Sequence, residues 1–555
     1  MSQGCKNILL LCVASYMCSA SAAPLTPADR DAIKQEQQQL LLHNQQQREE
    51  IKRSAAPRQP VSSIPGATAG PCFNIKNIHV DNATRLPTSS KRNLLSPYIN
   101  RCLDITGIGQ LAREISDWYI GKGYITSRAF ITEQDLSGGE LHIVVLEGRL
   151  ESIRLEGAPS RQLKVAFPSL EGEILNLRDI EQGMEQINRL RRTPVQIEIL
   201  PGEKPGDSVV NLTATPEFPL TVTTSFDNSG QKSTGTGQLN GSVTGNNLLG
   251  IADRWFVSGG RSSDFSSTHD ARNIQAGLSV PYGYSLFDYS YSWSDYLNTI
   301  HNHGFNWAST GDSETHRLTA SRVMYRNAEI KTAITGGLTH QISRNYLNDA
   351  KIDSSSRKLT SLLFGVNHTQ KMLGGVATFN PSFNHGVPWL GAENDNGKSG
   401  DMAKAEFKKW SLNGSFQLPL TNDLWWLTSY YGQWSPDRLY GSERLTLGGE
   451  SSVRGFKEQY LSGDNGGYWR NELNYTLLTL PVIGQVSSLA AIDGGWLQKD
   501  QHDPWASGTL WGAAVGVSTT NRYYSSQFTV SLPVKYPDWL APDNVSVYYR
   551  IAFVL

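Results

Sequence analysis

The sequence predicts a transmembrane β-barrel of about 16 antiparallel strands, preceded by two small α+β modules and an N-terminal helix. Three observations support this fold class. From about residue 219 to the last residue, apolar and polar side chains alternate at period two. Before that, two successive stretches share one order of strands and helices. A segment with the features of an export signal comes first.

The first 22 residues have the composition of a cleavable signal peptide. The segment MSQGCKNILLLCVASYMCSASAA combines one lysine, a short apolar run and small residues that form an A-x-A site ending at Ala22. We therefore expect cleavage after Ala22. A short membrane anchor and a lipoprotein signal that uses one of the three cysteines of this segment are the alternatives.

Removal of the signal leaves two cysteines, Cys72 and Cys102, in a chain sent to an oxidising compartment. A disulfide between them would close a loop of about 31 residues and stabilise the fold by roughly 3–4 kcal/mol. Two buried free thiols are the alternative.

Residues 26–53 are predicted to form a helix without an ordinary hydrophobic face. Thr26 and Pro27 supply an N-cap and a first helical residue. Glutamines and charged residues then cover nearly the whole circumference, so the helix has little to bury in a core. From Ala28 to Glu50 the helix would be about 35 Å long, enough to cross a membrane inside a wet lumen, as a plug helix. A disordered or self-associating tail is the alternative.

Residues 54–71 contain four prolines and are predicted to be a linker.

The two α+β modules are predicted at residues 72–148 and 149–215. In the first module, FNIKNIHV alternates as a strand, two helical stretches follow, and AFI and LHIVVLEG are strands. The same β-α-α-β-β order recurs in the second module. The predicted helices are Ser89 to Ile99, Gly109 to Ile120, Arg161 to Phe167 and Leu177 to Leu190.

Residues 216–555 have the pattern of a membrane barrel. In SLFDYSYSWS, aromatic residues alternate with serine and aspartate, and the final segment VSVYYRIAFVL alternates in the same way. At about 21 residues per strand and turn, this region predicts about 16 strands. A single such strand also fits a soluble β-sandwich. The length of the pattern, the export signal and a last strand that can close the barrel favour the membrane.

Composition and motifs exclude several classes of function. The formal net charge is −1 and only 18% of residues are charged, which gives no reason to expect nucleic acid as a partner. The sequence contains no G-x-x-x-x-G-K-[ST], H-E-x-x-H or G-x-S-x-G motif and no Cys/His metal spacing. We therefore predict a protein that is not an enzyme and that needs neither a metal nor a cofactor.

The segment LTLGGESSVRGF, which ends at Phe456, resembles the signature of the sixth extracellular loop in the superfamily of POTRA-plus-barrel proteins. The order of helix, linker, two modules and barrel resembles the two-partner secretion branch of that superfamily, the TpsB transporters. Haemolysin exporters and contact-dependent inhibition exporters are members of this branch. The resemblance implies that a loop at about residues 437–467 folds inward, with VRGF at its tip.

The resemblance also implies a contact between the loop tip and the barrel wall. The tip would consist of Val453, Arg454, Gly455 and Phe456. In the family, the arginine reaches an aspartate on the wall, and the matching segment SSLAAIDGGW offers Asp493, followed by Gly495. The alternation of that segment places Asp493 on the less apolar face, towards the lumen. Arginine suits this contact because its planar fork holds a carboxylate at two points. A solvated Arg454 is the alternative.

The function that the resemblance implies is export of a large TpsA-type exoprotein across the bacterial outer membrane, without nucleotide hydrolysis. The modules would lie in the periplasm and recognise the N-terminal secretion domain of the exoprotein. Outer-membrane lipid and the barrel-assembly machinery would be further partners, and we expect a monomer. An assembly factor for other barrels, a diffusion porin and an outer-membrane enzyme are the alternative functions.

Overall fold

The computed structural model describes residues 25–53, 71–500 and 503–555. The predicted signal peptide and nearly all of the predicted linker lie outside these ranges. Helix α1 (Pro27–Arg53) comes first. The hydroxyl of Thr26 accepts a hydrogen bond from the backbone N–H of Asp29, and the Asp29 carboxylate accepts one from Thr26 in return. This reciprocal cap explains where the helix begins.

The first module is built around a three-stranded sheet in the order β2-β5-β4, in which β2 and β5 are parallel. The side chains of Leu111, Ile115 and Tyr119 on α3 pack on this sheet. The predicted first strand is split at Lys76, and a short strand, β3, was not predicted. The elements are β1 (Phe73–Ile75), β2 (Asn77–Asp81), α2 (Thr88–Leu95), β3 (Arg101–Leu103), α3 (Ile105–Gly121), β4 (Arg128–Ile131) and β5 (Glu140–Leu146).

The second module repeats this plan with a sheet in the order β6-β8-β7, in which β6 and β8 are parallel. Its core contains Leu163, Ile180, Ile187 and Val210. Both predicted helices are present. The elements are β6 (Arg149–Leu155), α4 (Arg161–Ala166), α5 (Leu177–Asn188), β7 (Gln196–Pro201) and β8 (Asp207–Thr213).

Sixteen antiparallel strands close a barrel, which confirms the predicted fold class. They are β9 (Leu220–Asp227), β10 (Gln238–Asn246), β11 (Arg254–Ser262), β12 (His269–Tyr282), β13 (Ser285–Asn302), β14 (Phe305–Arg326), β15 (Ile330–Leu347), β17 (Arg357–Met372), β18 (Gly375–Gly386), β19 (Lys408–Pro419), β20 (Leu424–Trp434), β23 (Gly466–Leu480), β24 (Gly484–Leu497), β25 (Gly508–Thr520), β26 (Tyr524–Lys535) and β27 (Ser546–Val554). The two-residue strand β16 (Ala350–Lys351) extends the β15 hairpin. Strand β27 closes the barrel on β9, from Arg550↔Asp227 to Val554↔Thr223.

The barrel strands alternate as predicted. Phe287 and Tyr289 on β13, and Tyr549 and Phe553 on β27, are exposed on the outer face. The inner face is polar because a wet lumen solvates serine, asparagine and charged side chains. In the described parts of the chain, none of the helices has the length and apolar character needed to span a membrane.

Helix α1 lies inside the barrel. Its polar side chains bond to residues of the inner face. Among the barrel strands it packs most closely on β13, β14, β17, β18 and β19, and it also packs on the turn at Gly441–Glu443 between β20 and β23. Outside the barrel, the second module docks on turns at one rim. The backbone N–H of Gly283, in the β12–β13 turn, donates to the carbonyl of Val165 at 2.9 Å. The hydroxyl of Tyr284 donates to Asp179 at 2.5 Å.

Candidate functional site: a plugged pore

The loop between β20 and β23 folds into the barrel and packs on its wall. Two short strands within it, β21 (Leu445–Leu447) and β22 (Leu461–Gly463), pair with each other and lead to the tip. A 3-10 turn, Gly441–Glu443, precedes them. The loop presents apolar side chains to apolar residues of the neighbouring wall, which explains its inward course. This cluster contains Leu445, Leu447, Val453, Phe456, Leu461, Tyr468, Leu497, Leu510 and Leu540.

At the tip of the loop, Arg454 forms a two-point ion pair with Asp493. Its Nε and Nη2 atoms each donate a hydrogen bond of 2.6 Å, to Oδ2 and Oδ1 of the carboxylate. The backbone N–H of Arg454 donates to the same carboxylate at 3.1 Å. The side chains are only 3% and 1% exposed, so water screens this pair little. The pair ties the loop to β24.

A second carboxylate, Glu472 on β23, completes the ionic group. Its Oε1 lies 3.1 Å from Nη1 of Arg454 and 2.7 Å from Nη2 of Arg470. Arg470 also donates to the backbone carbonyl of Glu450 in the loop, at 2.8 Å. Two arginines and two carboxylates thus balance their charges in the buried group. Arg470 and Glu472 were not predicted as site residues, although their spacing of two on β23 places both side chains on the lumen face.

Gly455 and Gly495 allow the tip to approach the wall. Gly455 has φ +102, a conformation that favours glycine, and a Cβ atom there would lie 2.6 Å from the carbonyl oxygen of Leu532. A Cβ atom on Gly495 would lie 3.0 Å from Val453. Both residues therefore have a steric reason to be glycine.

Polar side chains hold the second half of α1 against β18 and β19. Asn44 is 1% exposed and bonds to three lumen residues. Its Nδ2 donates to Asn413 at 3.0 Å, and its Oδ1 accepts from Asn380 at 2.9 Å and from Thr378 at 3.2 Å. One turn further along the helix, Arg48 donates to Ser415.

The first half of α1 contacts the inward loop and the start of the barrel. The Gln37 amide donates to the carbonyl of Thr446 in the loop at 2.8 Å, and the Arg30 guanidinium lies 4.5 Å from the ring centre of Tyr460. On the other side, Gln231 donates to the Asp31 carboxylate at 2.8 Å. A polar cavity of about 500 Å³ remains between α1 and the wall at β9–β12. The helix and the loop thus occupy the lumen together.

The remaining predicted site residues, Cys72 and Cys102, lie in the first module. The structure joins them in a disulfide with a Cα–Cα distance of 5.3 Å. The bond links the segment before β1 to β3, which are paired strands. Within the described residues, no group of three or more histidine, cysteine, aspartate and glutamate side chains is arranged to hold a metal ion.

Family models match all three folded parts of the chain. The model of the haemolysin secretion/activation protein ShlB/FhaC/HecB matches residues 206–519. A ShlB-type POTRA domain model matches residues 73–148, and a POTRA domain model matches residues 149–201. The two modules are therefore POTRA domains.

Relatives are similar over nearly the whole chain. The outer membrane transporter CdiB of Escherichia coli is 60% identical over 98% of this chain and 92% of the relative. The hemolysin transporter protein ShlB of Serratia marcescens is 32% identical over 85% of this chain and 82% of the relative. The solved structure of CdiB from Escherichia coli, 60% identical, has a TM-score of 0.93 and covers 96% of this chain and 100% of that chain. CdiB from Acinetobacter baumannii, 24% identical, covers the same shares with a TM-score of 0.78 and supports the fold. The chain therefore belongs to the haemolysin secretion/activation family ShlB/FhaC/HecB, as an outer-membrane transporter whose two POTRA domains lie in the periplasm.

Proposed function

We propose that this transporter exports one large, unfolded TpsA-type exoprotein through its barrel once α1 has left the lumen. The POTRA domains capture the N-terminal secretion domain of the exoprotein in the periplasm. The inward loop, anchored by Arg454 and Asp493, shapes the pore through which the chain passes. Folding of the exoprotein outside the cell drives export, without nucleotide hydrolysis or any catalytic step.

The polar attachment of α1 carries this proposal. Its buried residues include four polar side chains, Gln37, Asn44, Gln47 and Arg48, beside three apolar ones, Ala28, Ile33 and Ile51. When the helix leaves, water and the polar groups of a passing chain can replace the hydrogen bonds of the four polar side chains. A helix held mainly by apolar packing would instead expose that surface to water. The attachment is therefore suited to release.

Open sheet edges in the POTRA domains support the capture step. Strands β2 and β4 are the edges of the first sheet. In the second sheet β7 is an open edge, whereas the β6 edge is already bonded at Leu150 to Gly172 and Glu173. An unpaired edge offers backbone N–H and C=O groups to an extended peptide, which can add to the sheet as a further strand. An unfolded exoprotein provides such peptides.

The relatives indicate the class of exoprotein. Those that are 60% and 52% identical are named CdiB, which favours a contact-dependent inhibition protein over a haemolysin as the cargo. We further propose that the protein is a monomer and that the barrel-assembly machinery inserts it into the outer membrane.

Single-channel recording in planar bilayers tests the plug. Deletion of residues 26–53 should raise the conductance of the pore, because the helix fills much of the lumen. Unchanged conductance would contradict the proposal. As a matched control, Leu42→Ala alters an exposed residue of α1 and should leave the conductance unchanged.

Secretion from cells that carry the partner exoprotein tests the transport. Removal of the transporter should keep the exoprotein inside the cell while the amounts of other outer-membrane proteins stay constant. A general fall in outer-membrane proteins would instead support the assembly-factor alternative.

A further inference from the structure

Three parts of the chain meet at a cluster of charges at the periplasmic rim of the barrel. Lys331, near the start of β15, lies with its Nζ 2.8 Å from Glu50 in the last turn of α1. The same ammonium group forms an ion pair with Glu185 on α5 of the second POTRA domain. The Lys331 side chain is 14% exposed, as is that of Glu185. One barrel cation thus contacts both the plug helix and a POTRA domain.

Arg326, the last residue of β14, is the second cation of the cluster. Its Nη1 lies 2.7 Å from Glu185, and its Nε lies 3.6 Å from Glu181. Its Nη1 also donates to the side-chain oxygen of Gln182 at 2.9 Å. Helix α5 therefore brings two carboxylates to the rim, and α1 brings a third.

Glu50 and Glu185 compete for the positive charge of Lys331. Both lie on one ammonium group, where two like charges repel each other. The third carboxylate of the cluster, Glu181, forms its shortest ion pair with Arg178, at 2.7 Å. Burial alone would raise the pKa of Glu185, but Lys331 and Arg326 hold it below its ordinary value, which keeps the carboxylate charged. The charge on Glu185 reduces the attraction of the rim for Glu50.

Helix α5 has other contacts that keep it docked. Tyr284 donates to Asp179, the Gln186 amide donates to the carbonyl of Gly283 at 3.2 Å, and Arg189 donates to Ser279 at 3.1 Å. Loss of the charge on Glu185 would leave these bonds in place. A cavity of about 760 Å³ lies between α5 and the end of α1, so this end of the plug has room to move.

We propose that Lys331 is a positioning residue for which the second POTRA domain and the plug helix compete, so that the docked domain weakens the hold of the barrel on α1. A POTRA domain that leaves the rim would free Lys331 for Glu50 and strengthen the plug. While the domain stays docked, its Glu185 weakens the ion pair between Lys331 and Glu50, and α1 leaves the pore more easily. The proposal rests on the proposed departure of α1 from the pore.

The test measures the fraction of time that the full-length protein spends in the open state in planar bilayers. Glu50→Gln should raise this fraction by about threefold, the effect of one partly screened ion pair. Glu185→Gln should lower it by a similar factor because Lys331 then binds Glu50 alone. In the double variant, Glu185→Gln should have no effect, since the competing carboxylate is gone.

Two controls separate competition from a general change in charge. Glu49→Gln removes the same charge one residue earlier in α1, where the carboxylate pairs with Lys52 instead, and should change little. Glu181→Gln removes a carboxylate that contacts Arg326, and its effect should be smaller than that of Glu185→Gln. Heat-dependent mobility on gels verifies that every barrel is folded, and alanine at the same residue replaces any glutamine variant that fails this test.

Three results would overturn the proposal: no change in the open fraction on Glu185→Gln, a rise in that fraction, or an effect of Glu185→Gln that persists in the Glu50→Gln background. The deletion of residues 26–53 distinguishes this failure from failure of the proposed function. If the deletion raises conductance while Glu185→Gln has no effect, only the competition is wrong. If the deletion has no effect either, the plug itself is wrong.

Discussion

Gly512 on β25 lies directly beneath the backbone of Arg454. A Cβ atom on Gly512 would lie 1.7 Å from the carbonyl oxygen of Arg454, far closer than two such atoms can approach. Gly512 is also the cross-strand neighbour of Asp493 on β24. The absence of a side chain at this position therefore lets the arginine reach its carboxylate.

Substitution of Gly512 by alanine should release the loop tip from the wall. The new methyl group would collide with a backbone atom, which cannot rotate away as a side chain can, so the tip must shift. We expect export of the exoprotein to fall strongly while the barrel remains in the membrane. Gly241→Ala is the matched control, because a Cβ atom there meets nothing within 4 Å. Equal export by the two variants would contradict this role.

Loss of the Arg454 side chain should weaken the anchor of the loop by about 3–5 kcal/mol, the usual cost of leaving one partner of a buried ion pair alone. We expect Arg454→Ala to abolish most export, and Arg454→Lys to restore little because lysine has a single nitrogen and lacks the planar fork that bonds to Asp493 with two nitrogens. Secretion assays with matched amounts of membrane-inserted protein measure this. Arg522→Ala, in a turn far from the loop in sequence, should export normally. Full export by Arg454→Lys would show that charge alone is sufficient.

Truncation of Asn44 should loosen the plug helix. Asn44→Ala removes hydrogen bonds to Thr378, Asn380 and Asn413, each worth about 0.5–1.5 kcal/mol. Pores should therefore open more often in planar bilayers. The neighbouring exposed residue provides the control: Gln45→Ala should open as rarely as the unmodified protein. An identical opening frequency in all three proteins would show that these bonds do not retain α1.

Reduction of the Cys72–Cys102 disulfide should destabilise the first POTRA domain by about 3–4 kcal/mol, as expected from the length of the closed loop. We expect residues 72–148 to become sensitive to protease at lower denaturant concentrations, whereas the second POTRA domain should not change. The variant in which serine replaces both cysteines should match the reduced protein and should not respond to reductant. If reductant also destabilised that variant, the loss of stability in the unmodified protein would have a cause other than the disulfide.

Sequence periodicity predicted the barrel and both modules because each depends on a pattern that repeats over many residues. Strand β3 was missed because three residues are too few to show an alternation of apolar and polar side chains. Periodicity also places a side chain on the lumen face without giving its neighbours on distant strands, so Glu472, Gly512 and Lys331 were not recognised. The proximity of Arg454 and Asp493 was expected from the family resemblance, since the two residues are far apart in sequence. For α1, composition alone left a plug and a disordered tail open, and contacts with the lumen place the helix inside the barrel.

The inward loop and the plug helix divide the circumference of the pore between them. The loop tip touches consecutive wall strands through Glu472, Asp493, Gly512 and Leu532, from β23 to β26. It acts as an internal brace, because these strands cannot change their curvature without breaking its bonds. Helix α1 packs on the opposite stretch, from β13 to β19. After the proposed departure of α1, a passing chain would meet the asparagine and serine side chains of β18 and β19 on one side and the braced wall on the other.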